Sequence, residues 1–387
     1  MNLPSPPQTP ALIIDRIALL HNLRTMQAAC DAKHIRLRPH GKMHKCSVLA
    51  KLQVEQGAVG LCCQTVGEAE AFARAGIADL LVSAPMPAWG PERIAALSKE
   101  TGANILAVCD SASQIDRLAA AAKSAGVTLG ALVDVNIGMH RVGCAVEEAS
   151  ELAARIAVAD GLRYCGIQAY FGHLQHLSKG RAAANAVGTD ALKALVVELT
   201  TEGLAPPVVT GGGTGTYDLD LETGVFTELQ CGSYALMDAE YRDCGAAHGE
   251  WAFEQALFIA ATVVSAKHKS HVTIDVGLKA TSMDVNPRVY AGAPEGSIWR
   301  SMGDEHGAIA HPAFLERMSE GADIAALDAD PEVVWPDDAP REGDTVWLTP
   351  GHCDPTINLY DAFYLTREDG GLDRWPIDAR RVSGNQM

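Results

Sequence analysis

A (β/α)8 TIM-type barrel with a second, mainly antiparallel β domain is the fold this sequence predicts, on three observations. Apolar runs alternate with amphipathic helical stretches up to about residue 250. Beyond that point short strand-like segments and turn residues take over. Polar, basic and glycine-rich residues follow the apolar runs, at the strand ends where a barrel keeps its chemistry. The expected division is residues 26–249 for the barrel and residues 1–25 plus 250–387 for the β domain.

The chain opens on a β-type segment, Thr9-Pro10-Ala11-Leu12-Ile13-Ile14. Asp15 then caps a helix through about Ala29, since a carboxylate there accepts from the first free amides. Eight apolar runs read as buried strands near 35–38, 59–63, 79–83, 103–109, 127–134, 163–170, 207–210 and 227–230. Helical stretches lie between most of them, for example Val66 to Ala75, Pro91 to Lys99, Ser111 to Ser124, Val146 to Val158 and Ala182 to Thr200. Strands that alternate with helices pair in parallel. Eight of them in about 200 residues suit a barrel better than an open sheet. After residue 250 the strand-like segments are Phe258 to Ala266, His271 to Val276, Ala308 to Ala310, Asp344 to Leu348 and Phe363 to Leu365. Turns rich in Pro and Asp, at Asp328 to Pro331 and Pro336 to Asp338, separate some of them.

A chain of 387 residues buries a large core and suggests two domains. The net charge of −17 argues against nucleic acid and anionic membranes, and leaves a small anionic ligand open to a locally positive pocket. With neither a signal-peptide pattern nor a membrane-spanning run, a cytoplasmic protein is expected. Ten cysteines without a CxxC pair lie in apolar segments such as Gly60-Leu61-Cys62-Cys63, which suits reduced core thiols.

The chemistry starts at Arg38-Pro39-His40-Gly41-Lys42-Met43-His44-Lys45, after the first barrel strand. Either this is a basic surface loop, or Lys42 is a partly desolvated amine able to form a Schiff base. Lys42 lies nearest the strand end, whereas Lys45 is expected on the following helix, facing solvent. Gln64-Thr65 follows the second strand, Asn136 to Gly143 with Arg141 the fifth, and Tyr170-Phe171-Gly172-His173 the sixth. Gly211-Gly212-Gly213-Thr214-Gly215-Thr216 and Cys231-Gly232-Ser233-Tyr234 follow the seventh and eighth. In barrels those two loops commonly hold phosphate through backbone amides. The dinucleotide pattern G-x-G-x-x-G fails, because Thr216 takes the third glycine's place. A lysine and a phosphate cradle on one face point to pyridoxal 5′-phosphate, with Thr214, Gly215, Gly232, Ser233 and Tyr234 on the phosphate. Arg141 suits the ring's O3′ oxygen or a plain salt bridge. Tyr170 suits the ring or the core, and Gln64 joins them at the second strand's end.

A second cluster, Thr349-Pro350-Gly351-His352-Cys353-Asp354-Pro355-Thr356, follows another strand. His352 and Asp354, two residues apart, point the same way in extended backbone, with Cys353 turned away. An imidazole and a carboxylate suit Mg2+ or Mn2+, which tolerate several waters. The other reading is a turn capped by Asp354.

The Lys42 stretch, Ile137-Gly138-Met139-His140-Arg141-Val142-Gly143, Tyr170-Phe171-Gly172-His173, Gly232-Ser233-Tyr234 and Pro350 to Thr356 together resemble the D-threonine aldolase family. That family has the alanine-racemase-like fold, fold type III among pyridoxal-phosphate enzymes. The resemblance spans about residues 9 to 380 in one order, and length and motif wording are closest to the 3-hydroxy-D-aspartate aldolases. It implies a lyase that cleaves a D-3-hydroxy amino acid by retro-aldol chemistry, with 3-hydroxy-D-aspartate, split to glycine and glyoxylate, as the first expectation. It implies Lys42 as the Schiff-base lysine, His352 and Asp354 as ligands of an activating metal, and a homodimer. It also implies that the N-terminal strand joins the C-terminal β domain. The base is a metal-bound water or His173, which equally suits a role in positioning Tyr170. Four alternatives stand beside this: a D-threonine aldolase of broad specificity, a D-serine or 3-hydroxyaspartate dehydratase, a non-catalytic pyridoxal-phosphate carrier, and a metal-only barrel hydrolase. The dehydratase branch has His-x-Cys at the metal position, whereas His-x-Asp stands here.

Overall fold

The computed structural model describes residues 4, 6, 8–312, 315, 324–332, 337 and 339–380. Its contacts divide the chain into two units. Asn22–Tyr234, Asp243–Ala252 and Asp378–Met387 form one; Met1–His21, Ala235–Arg242 and Phe253–Ile377 form the other.

Strand β1 (Ala11–Ile14) leads into α1 (Arg16–Ala32). Asp15 Oδ1 accepts from the amides of Ile17 and Ala18 at 2.8 and 3.1 Å, the N-terminal cap expected of it. The first unit then builds β2 (Arg36–Leu37), β3 (Leu61–Cys63), β4 (Asp79–Val82), β5 (Asn104–Cys109), β6 (Leu129–Val135), β7 (Leu162–Ala169), β8 (Val208–Gly211) and β9 (Glu228–Leu229). They are all parallel, in the order β2-β9-β8-β7-β6-β5-β4-β3. The ring closes where His40 bridges Cys62 and the amides of Val59 and Cys62 donate to the carbonyls of Leu37 and Pro39. This is the predicted barrel, and each of its strands overlaps one of the eight apolar runs. Two further helices bear on the site, α2 (Ser47–Glu55) and α3 (Val66–Arg74).

Side chains of a strand alternate, so every second residue enters the barrel. Cys62, Leu81, Leu106, Val108, Leu132 and Cys165 fill its interior as one apolar cluster. Two residues further along the same strands the inward positions turn polar, at Gln64, Ser83 and Asp134. In β7 a bulge lies opposite Ala131 and Leu132. Gly166 sits there at φ +124°, and a Cβ would lie 1.9 Å from the Val208 carbonyl oxygen. Only glycine fits that approach.

The other unit is a nine-stranded sheet. It comprises β1, β10 (Leu257–Ser265), β11 (His271–Ile274), β12 (Arg288–Ala291), β13 (Ile298–Ser301), β14 (Gly307–Ala310), β15 (Thr345–Thr349), β16 (Ala362–Thr366) and β17 (Leu372–Pro376). Their order is β11-β14-β13-β12-β15-β10-β1-β16-β17, and β11 also pairs with β10, which closes six strands into a ring. β1 is antiparallel to β10 and parallel to β16, so the N-terminal strand lies inside the C-terminal sheet. Ala11, Ile13, Phe258, Ala260 and Trp347 form a core on it. Strands β12, β13 and β17 were not expected. All three are mostly exposed or half-buried, with Trp299 of β13 the one buried residue, and so lack an apolar run. Asp328 and Ala329, expected in a turn, end a helix, Ile324–Ala329. Pro336 and Asp338 of the second expected turn lie outside the described residues. All ten cysteines are free thiols, and no described helix is long and apolar enough to cross a membrane.

Candidate active site

The turn after β2 is built by backbone bonds: Gly41 N–H donates to the Cys62 carbonyl at 2.8 Å, and Lys45 N–H to the Gly41 carbonyl at 2.8 Å. Lys42 lies between them. His40 is buried, and its Nδ1 accepts the Lys42 N–H at 3.4 Å. Its Nε2 therefore carries the proton and donates to Ser83 Oγ at 3.0 Å, and Ser83 donates on to the Cys63 carbonyl at 3.2 Å. Burial, then the charge of Lys42, hold the His40 pKa well below the usual imidazole value, in keeping with this neutral tautomer.

Around Lys42 lies a pocket open to solvent, lined among others by His40, Gln64, Asp134, Arg141 and Tyr170. The guanidinium of Arg141 stands 5.7 Å from the centroid of the Tyr170 ring, a cation–π contact. Four expected residues, Lys42, Gln64, Arg141 and Tyr170, thus meet although they come from four separate loops. The floor was not expected. Gln168 Nε2 donates to Asp134 Oδ1 at 2.9 Å and to the Ser83 carbonyl at 3.0 Å. Gln230 Nε2 donates to Gln168 Oε1 and Thr210 Oγ1, both at 3.0 Å. Burial pushes the Asp134 carboxyl up to about 7, against the hydrogen bond from Gln168. A polar residue inside an apolar strand run, as in Leu-Val-Asp134-Val or Ile-Gln168-Ala, was the available signal.

The glycine-rich loops fold on their own polar residues. Gly215 N–H donates to Gln175 Oε1 at 2.8 Å, and a Cβ on Gly215 would lie 1.9 Å from the Gln175 carbonyl oxygen. Glycine is required there by Gln175, and the Gly215 amide is already committed. Asp220, fully buried, accepts from Thr216 Oγ1 at 2.6 Å and Asn185 Nδ2 at 2.8 Å. Tyr234 N–H donates to Thr214 Oγ1 at 3.0 Å, which joins the two loops. The amides of Thr214, Gly232 and Ser233 meet no acceptor among the described residues. Buried amides without acceptors are what an anion cradle presents. None of these residues lines the cavity itself, although Gly232 packs on His40.

One expectation fails in this unit, the placing of Lys45. Lys45 is not on a helix, since α2 begins at Ser47; it has φ +50° and pairs with the buried Glu68 at 3.1 Å. His173 is exposed and does not line the cavity; its ring packs on Gly138. Burial, then His140, lower its pKa.

In the β unit, His352 precedes a short helix, Cys353–Ile357, so the backbone is not extended through Asp354 as expected. The side chains still approach, with His352 Nε2 and Asp354 Oδ2 3.8 Å apart. His352 Nδ1 lies 2.6 Å from Asp284 Oδ2, which leaves Nε2 to face Asp354. Burial lowers the His352 pKa, but Asp354, Asp284 and Asp238 outweigh it and the net shift is upward. Cys353, expected to point away, is buried, yet its thiol lies 3.5 Å from Asp354 Oδ2. Among the described residues no three His, Cys, Asp or Glu side chains converge to hold an ion. An imidazole nitrogen and a carboxylate nonetheless suit a cation that keeps most of its waters.

A parallel barrel with a lysine turn at its first strand end, on one chain with a closed antiparallel sheet that takes in the N-terminal strand, is the alanine-racemase-like fold. Residues 14–240 match the alanine racemase N-terminal domain family, and residues 256–366 a putative serine dehydratase domain. The chain is 40% identical to a 3-hydroxy-D-aspartate aldolase of Paracoccus denitrificans, over 96% of this chain and 92% of that one. It is 36% identical to a D-threonine aldolase of an Arthrobacter species, over 97% and 93%. The crystal structure of D-threonine aldolase from Filomicrobium marinum superposes with a TM-score of 0.86 at 34% identity, covering 98% of both chains. The chain belongs to the D-threonine aldolase family and is a carbon–carbon lyase.

Proposed function

We propose that this enzyme cleaves a D-3-hydroxy amino acid by a retro-aldol reaction, with 3-hydroxy-D-aspartate, split to glycine and glyoxylate, as the substrate. The observation that carries the reading is the meeting of Lys42, Gln64, Arg141 and Tyr170 around one cavity at the C-terminal end of the barrel strands. Likeness to the Paracoccus relative supports the choice of substrate. Lys42 is the amine that carries pyridoxal phosphate. The free amides of Thr214, Gly232 and Ser233 receive its phosphate, while Gly215 and Tyr234 hold the two loops together. His352 and Asp354 hold Mg2+ or Mn2+. A homodimer in the cytoplasm belongs to the same reading.

Pyridoxal phosphate, when bound, supplies the sink for the electron pair of the broken Cα–Cβ bond. The divalent cation, when bound, supplies Lewis-acid pull on the β-hydroxyl. The chain's own residues do the rest. Arg141, set over Tyr170, offers a fixed cation to an anionic oxygen in the cavity. His40 spends its one N–H on Ser83 and anchors the turn. His173, with its lowered pKa, is unprotonated at neutral pH and is the side chain proposed to take the β-hydroxyl proton.

Wild-type protein saturated with cofactor should show a visible absorbance band that Lys42→Ala lacks, and Lys42→Ala should lose roughly a thousandfold in cleavage rate. A colourless wild type sinks the reading. Exhaustive treatment with EDTA should abolish glyoxylate release and Mn2+ should restore it; full activity without metal would remove His352 and Asp354 from the mechanism. The second reading, dehydration to a keto acid and ammonia, is supported by the Cys353 thiol beside Asp354 and by the dehydratase-like segment 256–366. Assaying aldehyde against keto acid separates the two.

A further inference from the structure

Behind the Lys42 turn lies a buried ion pair that the reaction does not use. Glu68 sits in the first turn of α3 and is 2% exposed. Its own N–H donates to Thr65 Oγ1 at 3.2 Å, which fixes the start of the helix. Its carboxylate reaches two ways. Oε2 accepts the Gln64 N–H at 2.7 Å, and Oε1 faces Lys45 Nζ at 3.1 Å.

Both partners lead to Lys42. Lys45 closes the turn that contains Lys42, through its N–H to the Gly41 carbonyl at 2.8 Å. Its own carbonyl accepts from Ala379 N–H at 2.9 Å, and its φ of +50° is a conformation that a lysine adopts only under constraint. Gln64 lines the cavity with Lys42 and His40, whose Nδ1 takes the Lys42 N–H. Burying a carboxylate and an ammonium together is often no gain over an apolar pair of the same size. A pair kept in such a place therefore points to geometry.

We propose that Glu68 is a positioning residue for Lys42. Its ion pair with Lys45 locks the turn and draws the second amine of the motif away from the cavity. Its bond to the Gln64 amide fixes the backbone from which Gln64 lines the cavity. One amine of two is thereby presented to the cofactor. The inference rests on the reading of Lys42 as the cofactor-bearing lysine.

The test uses full-length protein freed of cofactor and titrated with pyridoxal phosphate. Glu68→Gln should raise the Kd for pyridoxal phosphate about tenfold or more, and move the pH at which the visible band titrates. Glu68→Asp, which keeps the charge, should recover part of both. A folded Glu68→Gln protein with a Kd within about twofold of wild type and an unmoved titration overturns the proposal. Should Glu68→Gln unfold because Lys45 loses its partner, Lys45→Met/Glu68→Gln removes both charges; the same loss of affinity is expected, and wild-type affinity overturns the proposal. Borohydride reduction and peptide mapping of the wild type keep the two levels apart. A label found away from Lys42 defeats the reading of the site. A label on Lys42 with unaltered Glu68 variants defeats this inference alone.

Discussion

Asp134 is a cavity residue whose chemistry departs far from its type. Its carboxyl, at about 7, lies above the ordinary value of about 3.9 for aspartate. The folded protein therefore keeps a proton that the unfolded chain releases between about pH 4 and 7. Stability from this group is complete below that window and is lost as pH rises through it, with a ceiling of about 4 kcal/mol at 1.36 kcal/mol per unit. Denaturant midpoints should fall across that range, and Asp134→Asn should flatten the fall while still accepting from Gln168. A slope unchanged in Asp134→Asn would show that another group carries it. Lys42, Gln64, Arg141 and Tyr170 were legible because each stands just past an apolar run, where a barrel exposes its strand ends. Asp134, Gln168 and Gln230 were not, because inside a strand they read as part of the run. Glu68 was hidden for another reason: nothing in its local sequence says that a lysine twenty-three residues earlier will reach it.

Elements divide by how they are buried. Parallel strands covered on both faces are largely apolar, so all eight barrel strands could be read. Strands β12, β13 and β17 keep one side in water and carry Arg, Ser and Asp, so they could not. Helix α2 begins at Ser47 behind Cys46, whose side chain makes no capping bond, and without that signal nothing in the sequence keeps Lys45 out of the helix. Helix α3 shows the opposite case, with Thr65 as a working cap. Thr65→Ala should cost about 1 kcal/mol of unfolding free energy in denaturant melts. It should also loosen Glu68, and so weaken cofactor binding in the same direction as Glu68→Gln. Stability lost with cofactor affinity intact would mean that the cap serves the helix alone.

Across the whole chain, the feature with the widest reach is β1. All four of its residues are buried, and it fills the gap between β10 and β16. Removing residues 1–14 would leave two strands with unpaired inner edges, and the truncated protein should be aggregated or unfolded in solubility and circular dichroism assays. A soluble, cooperatively melting truncation would show that the sheet heals without it.

That strand also sets an order of events during synthesis. Ala11 pairs with Ala260, so at about 5–20 residues per second roughly 12–50 s pass between making one and making the other. Leu12 must wait longer still for Phe363. The strands of the barrel are complete before either partner is made, since the last of them ends at Leu229. Strand β1, made before the other described strands, is thus among the last to find its place. Until then, an apolar Ala-Leu-Ile-Ile segment is an open edge available to any other unfinished chain.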